Sequence, residues 1–277
     1  MEIGCSTVLF REFELERAFD AIRSIGYEYT ETQGVGPWCQ HVDIFSTDPV
    51  QFAELAKSYG FKKVTALWMP NGNLIANEDG VSSAIRAIEW ASAAGIPVVN
   101  TGDGFKDDSL ADEEAYKILG DKLSGILDAT AQFSTQLAIE PHGSFSLSLD
   151  GLKRIMSLSD SPRLGINYDA ANIYRAGYVE SSHGKSAWKS AGNREDEAAV
   201  LEAVMDKVVH FHAKDMNDEQ QCVALGRGNV KLKECLGILK NHNYNGAVSV
   251  ETEGGYSFED TVTLARESYE YLVKELR

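Results

Sequence analysis

The chain has 277 residues, 43% of them hydrophobic, which is enough for one large domain with a sizeable core. Its 42 acidic residues outnumber 26 basic ones and give a formal charge of −16, which opposes binding to the phosphate backbone of nucleic acids. No run reaches the roughly 18 apolar residues that cross a bilayer, and the four cysteines form no CxxC pair. Since no signal-peptide pattern is present either, we expect a cytoplasmic protein that binds neither nucleic acid nor membrane.

Eight short apolar or β-branched runs recur along the chain and are predicted to be strands. Several are nearly continuous in hydrophobicity, which is typical of parallel strands buried on both faces. The predicted strands are Glu2–Thr7, Tyr27–Thr32, Lys63–Trp68, Pro97–Thr101, Leu137–Glu140, Gly165–Asp169, Val208–His212 and Ala247–Glu251. The amphipathic segments between them that predict helices include Glu14–Ile25, Val50–Tyr59, Val81–Ala93 and Ala111–Phe133.

A last helix is predicted over about residues 258–276. Ser257 is its expected N-cap, because a serine hydroxyl can accept from the first free backbone N–H groups of a helix. Asp260, three residues later, gives a weaker form of the capping box, which normally has Glu or Gln at this position.

The alternation of strand and helix, repeated eight times without a Pro/Gly/Ser-rich linker, favours an α/β fold: one closed (β/α)8 TIM barrel that forms a single domain over residues 1–277. A doubly wound open sheet is the alternative. Such a sheet often has a Gly-rich phosphate-binding turn after its first strand, and the segment Gly4–Val8 is not such a turn. The barrel is therefore the preferred prediction.

The longest irregular stretch is a loop at about residues 177–195, after the sixth strand. It contains His183, Lys185 and Trp188. Loops of this length are usually either functional or disordered. We interpret it as a lid or a partner-binding segment, with a plain surface loop as the alternative.

Four of the predicted strands end on a residue that can bind a divalent cation: Glu140, Asp169, His212 and Glu251. Their spacings of 29, 43 and 39 residues each fit one strand-plus-helix unit, with extra length in the later two. Because a parallel barrel gathers the carboxyl ends of its strands at one mouth, we expect the four side chains to converge. An oxygen-rich set with one nitrogen suits Mg²⁺, Mn²⁺ or Co²⁺ better than a structural zinc. Each residue alone also has an ordinary structural explanation, but the set predicts a metal site.

Such a site predicts proton transfer next to a carbonyl group. A bound cation can hold two neighbouring oxygens of a hydroxycarbonyl substrate and stabilise the enediolate that forms when a proton leaves the adjacent carbon. Glu140 and Glu251 are the candidate catalytic pair, one removing a proton and the other returning it. His210 points to the same side of its strand as His212 and is the alternative nitrogen ligand.

Further polar residues follow the strand ends closely. His142 and Asn172 are candidates for hydrogen bonds to substrate hydroxyls. Lys214 and Asp215 come directly after the His212 strand and are interpreted as groups that bind a substrate oxygen or orient a ligand. A surface ion pair is the alternative for these two residues.

Three more residues are candidates for substrate binding. The segment Leu225–Val230 contains a GxG pattern that brings backbone close to a ligand, and its Arg227 is suited to bind an oxyanion, although a plain turn explains the pattern equally well. Trp38 and Trp68 follow or end predicted strands and are candidate apolar walls against a sugar ring, with core packing as the alternative.

These motifs resemble one known family, the xylose isomerase-like TIM barrels, and within it the sugar phosphate isomerase/epimerase group. The resemblance spans nearly the whole chain and is carried by the segments Ile139–Gly143, Asn167–Asn172, His210–Asp215, Gly226–Gly228 and Val250–Glu253. The HxKD segment and the GxG that follows it are its most specific parts.

The resemblance implies one divalent cation, manganese foremost and otherwise Mg²⁺, Co²⁺ or Zn²⁺. In the family it is held by Glu, Asp, His and Glu, which fall here on the four strand-end residues already named. It also implies that Glu140 and Glu251 form the proton-transfer pair, as they do in ketose epimerases. Two departures leave the substrate open: epimerases of this group commonly have His where this chain has Asn172, and an acidic residue where it has Arg227.

The leading functional prediction is a metal-dependent isomerase or epimerase of a free or phosphorylated sugar or sugar-like acid. The alternative is a lyase of the same fold, either a dehydratase or the subunit of a C-glycoside deglycosidase that acts on a 3-keto-glycoside. The expected partners are a small carbohydrate and either a second copy of the chain or a small partner subunit. An apurinic-site endonuclease is disfavoured, because its three-zinc site is rich in histidine and this acidic chain has only six His. A non-catalytic barrel is disfavoured because all four presumed ligands are present.

Overall fold

The structure, a computed structural model, describes residues 1–175, 178–182, 185–188 and 194–277. Its strands are β1 Glu2–Ser6, β2 Tyr29–Val35, β3 Cys39–Gln40, β4 Lys63–Asn73, β5 Val98–Gly104, β6 Gln136–Gly143, β7 Leu164–Asp169, β8 Tyr178–Ser182, β9 Lys185–Trp188, β10 Val208–Ala213, β11 Asp215–Met216, β12 Cys222–Val223 and β13 Ala247–Val250. Its α-helices are α1 Leu15–Ile25, α2 Pro49–Ser58, α3 Gly80–Ala93, α4 Asp112–Ala129, α5 Leu149–Met156, α6 Ala170–Tyr174, α7 Glu197–Val204, α8 Leu232–Asn241 and α9 Phe258–Leu276.

Eight parallel strands form a closed ring in the order β1, β2, β4, β5, β6, β7, β10 and β13. The first strand closes the ring, because Gly4 pairs with Tyr29 of β2 and Glu2 pairs with Ala247 of β13. Every strand of the ring therefore has two neighbours, and the prediction of a closed (β/α)8 barrel is confirmed. The doubly wound open sheet is excluded by the same pairing.

The predicted strands all appear in the ring, with differences at their ends. The largest difference is in β4, which was predicted to end at Trp68 and continues to Asn73, with an irregular register against β5. Its last residues contain Pro70 and Gly72, which favour a turn when they are read locally. The backbone does turn there, since Asn71 has a φ of 57°, but pairing with β5 resumes at Asn73, which lies opposite Gly102.

Part of the predicted loop at residues 177–195 is a hairpin in which β8 and β9 pair antiparallel. Trp188 is the last residue of β9 and Lys185 is its first. Residues 176–177, 183–184 and 189–193 lie outside the described residues, and so does His183. The function of this segment as a lid or partner-binding site stays a prediction.

The main hydrophobic core includes aromatic side chains from the first three helices. Phe19 of α1, Phe52 of α2 and Trp90 of α3 are all buried. The ring centroids of Phe52 and Trp90 are 5.1 Å apart, and those of Phe19 and Phe52 are 6.3 Å apart. Each such buried ring stabilises the fold by about 2–3 kcal/mol, so this cluster holds the first helices on the ring. None of the described helices is both long and apolar enough to cross a membrane.

Helix α9 packs beside α1 and covers the seam where β1 meets β13. The hydroxyl of Tyr27 donates to the carbonyl of Ala265 at 2.8 Å, and the rings of Tyr27 and Tyr269 meet edge to face. Ser257 is the N-cap as predicted, since its hydroxyl accepts from the backbone N–H of Asp260 at 3.1 Å. The carboxylate of Asp260 accepts from the Ser257 hydroxyl at 2.8 Å, which makes a variant of the predicted capping box.

Candidate metal centre

Four side chains converge at the carboxyl ends of neighbouring ring strands: Glu140 of β6, Asp169 of β7, His212 of β10 and Glu251, directly after β13. All four are buried, with at most 4% of their surface exposed. Each offers a ligand atom, and these atoms lie within 4.8 Å of one another. The structure thus brings together the four residues that the strand-end pattern singles out.

The two nitrogens of the His212 imidazole face different carboxylates. Nδ1 lies 3.4 Å from Oε2 of Glu140 and 3.2 Å from Oε2 of Glu251. Nε2 lies on the opposite side, 3.0 Å from Oε2 of Glu31. Nδ1 is therefore the nitrogen that faces the ligand carboxylates.

Two carboxylate oxygens at the centre have unused capacity to bind a cation. Oδ2 of Asp169 and Oε2 of Glu251 are buried and accept no hydrogen bond of adequate geometry, although Nζ of Lys214 is 2.8 and 2.6 Å away. Three carboxylates and one imidazole form a donor set that Mg²⁺, Mn²⁺, Co²⁺ and Zn²⁺ all accept. The residues present fit a divalent cation.

Lys214 is part of the centre, with only 1% of its side chain exposed. Besides Asp169 and Glu251, its Nζ lies 2.9 Å from Oε1 of Glu253, a carboxylate closer to the solvent. Burial alone would lower the pKa of Lys214, but the three carboxylates raise it well above its usual range. A surface ion pair, the alternative interpretation of this residue, does not fit this burial.

The two candidate catalytic glutamates differ in their electrostatic surroundings. Burial raises the pKa of Glu140, and the charge of Glu251 raises it further. Burial also acts to raise the pKa of Glu251, but His212 and Lys214 outweigh it and hold that pKa below its usual range. Glu140 is therefore the member of the pair that holds a proton more readily, while Glu251 stays ionised.

Two asparagines orient Glu140. Nδ2 of Asn172 donates to Oε1 of Glu140 at 2.8 Å, and Nδ2 of Asn167 donates to Oε2 at 3.1 Å. The backbone N–H of Asn172 also donates to Oδ1 of Asp169 at 3.0 Å, which caps α6. The structure thus places Asn172 against two metal-ligand candidates, whereas its expected partner was a substrate hydroxyl.

His142, near the end of β6, lies beside Trp68 in the middle of β4. Their ring centroids are 5.9 Å apart, with the rings edge to face. Both side chains are partly exposed. Burial lowers the pKa of His142, which keeps its imidazole neutral at pH 7. His142, two residues after Glu140, thus offers a polar nitrogen, and Trp68 beside it offers an aromatic edge.

Trp38 and Arg227 lie elsewhere. Trp38 is 46% exposed, and the guanidinium of Arg11 lies over its ring at 5.0 Å. The side chain of Arg227 is also exposed and pairs with Glu267 of α9 at 2.8 Å. In the described part of the chain, no hydrogen bond or ion pair joins either residue to the four ligand candidates.

The GxG segment is organised by Asp215. Its Oδ2 accepts from the backbone N–H of Gly226 at 2.9 Å and of Gly228 at 3.0 Å, and its Oδ1 accepts from Val230 at 3.2 Å. A Cβ on Gly228 would lie 2.2 Å from Oδ1 of Asp215. The glycines therefore bring the backbone close to the Asp215 carboxylate rather than to a ligand. The HxKD and GxG motifs together form one hydrogen-bonded loop structure.

Sequence reasoning missed Glu31, Asn167 and Glu253, which all contact the centre. Glu31 lies on β2 and is fully buried. The available signal was a charged residue inside a predicted strand, but that strand, Tyr27–Thr32, also contains Glu28 and does not end at Glu31. A search for ligands at strand ends therefore missed Glu31. Asn167 sits inside the strand that ends at Asp169, and Glu253 has the same position relative to Glu251 that His142 has relative to Glu140.

Comparisons with known proteins agree with this architecture. Inosose dehydratase from Lactiplantibacillus plantarum is 23% identical over 233 residues, or 72% of each chain. An uncharacterised protein from Methanocaldococcus jannaschii is 24% identical over 136 residues, which are 47% of this chain and only 41% of that protein. The crystal structure of a D-tagatose 3-epimerase-like protein superposes with a TM-score of 0.75 and 19% identity, covering 100% of this chain and 98% of the other.

A family model confirms the resemblance found in the motifs. It is described as a xylose isomerase-like TIM barrel, and it matches residues 19–275, nearly the whole chain. The match includes all four ligand candidates and the strands that position them. The chain belongs to the xylose isomerase-like TIM barrel family.

Proposed function

We propose that this protein is a divalent-metal-dependent isomerase or epimerase that moves a proton between adjacent carbons of a small sugar or sugar-like acid. The observation that carries the proposal is the convergence of Glu140, Asp169, His212 and Glu251 within 4.8 Å in a buried, acidic centre. Through these residues the chain would hold one cation, with His212 contributing Nδ1. Mn²⁺ is the first choice on the family resemblance, and Mg²⁺, Co²⁺ and Zn²⁺ fit the same donors.

When bound, the cation supplies Lewis-acid stabilisation of the negative charge that develops beside a substrate carbonyl. The chain itself supplies the proton transfer. Glu251, which stays ionised, is the base that removes the proton, and Glu140, whose pKa burial raises, returns a proton to the adjacent carbon. Asn167 and Asn172 keep the Glu140 carboxylate in place for this step.

The substrate would lie between the ligand set and the residues at the strand ends. His142 offers a neutral imidazole for a hydroxyl group, and Trp68 offers an aromatic edge for the apolar side of a sugar ring. Lys214 would stabilise a negatively charged substrate oxygen near Asp169 and Glu251. A small carbohydrate suits this set, and the names of the dehydratase and epimerase-like relatives point to the same substrate class.

A lyase is the second candidate. Proton removal would be the same, but the resulting carbanion would expel a hydroxyl or glycosyl group from the neighbouring carbon. Two observations favour it: the inosose dehydratase relative, and the Lys214–Glu253 pair, which extends from the buried centre toward solvent and could protonate a leaving group. If the substrate is a C-glycoside, we propose that a small partner subunit takes part; otherwise we propose a homo-oligomer.

Metal analysis of the purified protein, with thermal melting before and after chelation, tests the proposal. We expect about one divalent cation per chain and a melting temperature that chelation lowers, because a ligand that binds only the folded state stabilises it. Ketoses and keto-glycosides should then be incubated with the loaded protein in heavy water. Deuterium in an isomer of the substrate, with no loss of water or aglycone, supports the isomerase, and loss of water or an aglycone supports the lyase. A protein that takes up no cation under any loading condition contradicts both.

A further inference from the structure

Glu31 is a buried carboxylate outside the four-residue ligand set. It lies on β2, on the side of the His212 ring away from the ligand carboxylates, and is 0% exposed. Both of its carboxylate oxygens are at hydrogen-bond distance from one atom, Nε2 of His212: Oε1 at 3.1 Å and Oε2 at 3.0 Å. An ionised carboxylate can only accept, so Nε2 of His212 has to carry the hydrogen.

Other neighbours hold Glu31 in this position. Nδ2 of Asn100 on β5 donates to Oε1 of Glu31 at 3.3 Å. Nε2 of His210 lies 3.8 Å from Oε2, and Nδ1 of the same ring is at 3.0 Å from Oδ1 of Asn167. The orientation of Asn167 is set in turn by its donation to Glu140. Glu31 and the ligand set therefore belong to one connected network of buried polar groups.

We propose that Glu31 is a positioning residue for the metal centre: it fixes His212 in the Nε2–H tautomer, so that the lone pair of Nδ1 points at the cation. An imidazole that carries its proton on Nε2 has its free lone pair on Nδ1, and Nδ1 is the nitrogen that faces Glu140 and Glu251. A carboxylate behind a metal-bound histidine also makes the imidazole a stronger ligand. This inference rests on the proposed cation at the four-residue set.

A second arrangement of the same atoms has to be distinguished. Glu31, His210 and His212 also offer three ligand atoms within 4.8 Å of one another, which could hold a cation of their own. That arrangement would need the Nε2 lone pair of His212, whereas the positioning role needs a hydrogen on Nε2. The two arrangements are mutually exclusive, and the nitrogen of His212 that carries the hydrogen in the metal-loaded protein separates them.

Calorimetric titration of the metal-free protein with Mn²⁺ tests the inference on wild type, Glu31→Ala and Glu31→Gln. We expect one cation per wild-type chain and a Kd raised about 10- to 100-fold in Glu31→Ala, the usual loss when a partner behind a metal ligand is removed. Glu31→Gln retains an oxygen that accepts from Nε2–H, so its Kd should rise less. Glu197→Gln is the matched control, since Glu197 is a buried carboxylate of α7 that accepts from the backbone of Lys231, and its Kd should equal that of wild type. A Glu31→Ala protein with the wild-type Kd, or a drop from two cations to one, overturns the inference.

The tautomer of His212 is a second measurement, made on wild type alone. Long-range ¹⁵N–¹H correlation spectra of the metal-free protein and of the Zn²⁺-loaded protein should both show a proton on Nε2 of His212. A missing proton on Nε2, or a proton on Nδ1 of the Zn²⁺-loaded protein, overturns the inference, whatever the variants do. If wild type binds no cation, the proposed function fails. The spectrum of the metal-free protein then tests the pairing of Glu31 with His212 by itself.

Discussion

At the scale of single residues, the two candidate catalytic glutamates have the same side chain but different neighbours. Glu140 is held by two asparagine amides, and Glu251 faces an ammonium and an imidazole. In low-dielectric surroundings such neighbours decide which carboxylate keeps a proton. Two glutamates can thus act as acid and base in one reaction.

We predict that Glu140→Gln and Glu251→Gln each lower kcat by about 10²- to 10⁴-fold, the usual contribution of a positioned acid or base. The fold should remain intact, because Gln has nearly the shape of Glu. The measurements are turnover of the substrate found in the heavy-water screen and the circular dichroism spectrum. The control is Glu202→Gln, which changes an exposed glutamate paired with His242. Near-normal turnover in either site variant would remove that residue from the proton-transfer pair.

Lys214→Met should make the protein depend more strongly on bound metal. The ammonium is the nearest positive charge to Asp169 and Glu251 among the described residues, and removing one partner of a buried ion pair costs about 3–5 kcal/mol. A bound cation replaces that charge, so chelation should lower the melting temperature by more in the variant than in wild type.

The control for this experiment is Lys231→Met. Lys231 pairs with Asp196 where both side chains are nearly half exposed, and an exposed pair contributes about 0–1 kcal/mol. Its response to chelation should match wild type. An equal response in Lys214→Met would show that the ammonium does not compensate the ligand carboxylates.

Asp103 should give the protein a distinct pH dependence of stability. Burial raises the pKa of Asp103 to about 6 from its ordinary 3.8, despite hydrogen bonds from Ser146 and Phe145. A folded-state pKa above the unfolded one means that the stabilising contribution is complete below pH 3.8 and is lost as the pH rises through 6. The loss amounts to roughly 3 kcal/mol.

Asp103→Asn is the matching variant, since Asn is neutral at every pH and keeps an acceptor for the backbone of Phe145 and Ser146. Urea unfolding at several pH values across this range measures the effect. The stability of wild type relative to the variant should fall as the pH rises toward 7. A difference that does not change with pH would contradict the raised pKa.

At the scale of elements, short segments around the ring depend on a few hydrogen bonds each. Asp215 accepts from three backbone amides of the loop from Gly226 to Val230, and Ser257 caps the first turn of α9. The cap was readable from the sequence because its partners are three residues apart. The role of Asp215 was not readable, because its carboxylate oxygens accept from backbone amides that lie 11 to 15 residues later in the sequence.

Ser257→Ala should lower the free energy of unfolding by about 1 kcal/mol, because the first amides of α9 lose their acceptor. Ser257→Thr keeps the hydroxyl and should stay close to wild type. Urea denaturation monitored by circular dichroism measures both. Equal stability of the alanine and threonine variants would mean that the cap contributes nothing to the barrel.

At the scale of the whole molecule, the barrel was predictable because its signals are local. Eight apolar runs and the helical patterns between them repeat at short range, and the barrel rule then turns four strand ends into one site. Contacts across the ring were not predictable. Glu31 and His212 are separated by 181 residues, and the burial of Lys214 depends on carboxylates that arrive on two other strands. The positions of Arg227 and Trp38 away from the ligand set were not predictable either, since side-chain direction in a loop has no period to read.

Ring closure has a consequence for when the chain could bind the proposed cation in a cell. Strand β13 pairs with both β1 and β10, and the backbone N–H of Glu251 donates to Ala213 of β10 at 3.0 Å. A growing chain on the ribosome has made β1 long before it has made β13, so it has no complete ligand set during almost all of its synthesis. The proposed cation would therefore be captured by the finished barrel. Its identity would then depend on the free ions that the released protein meets.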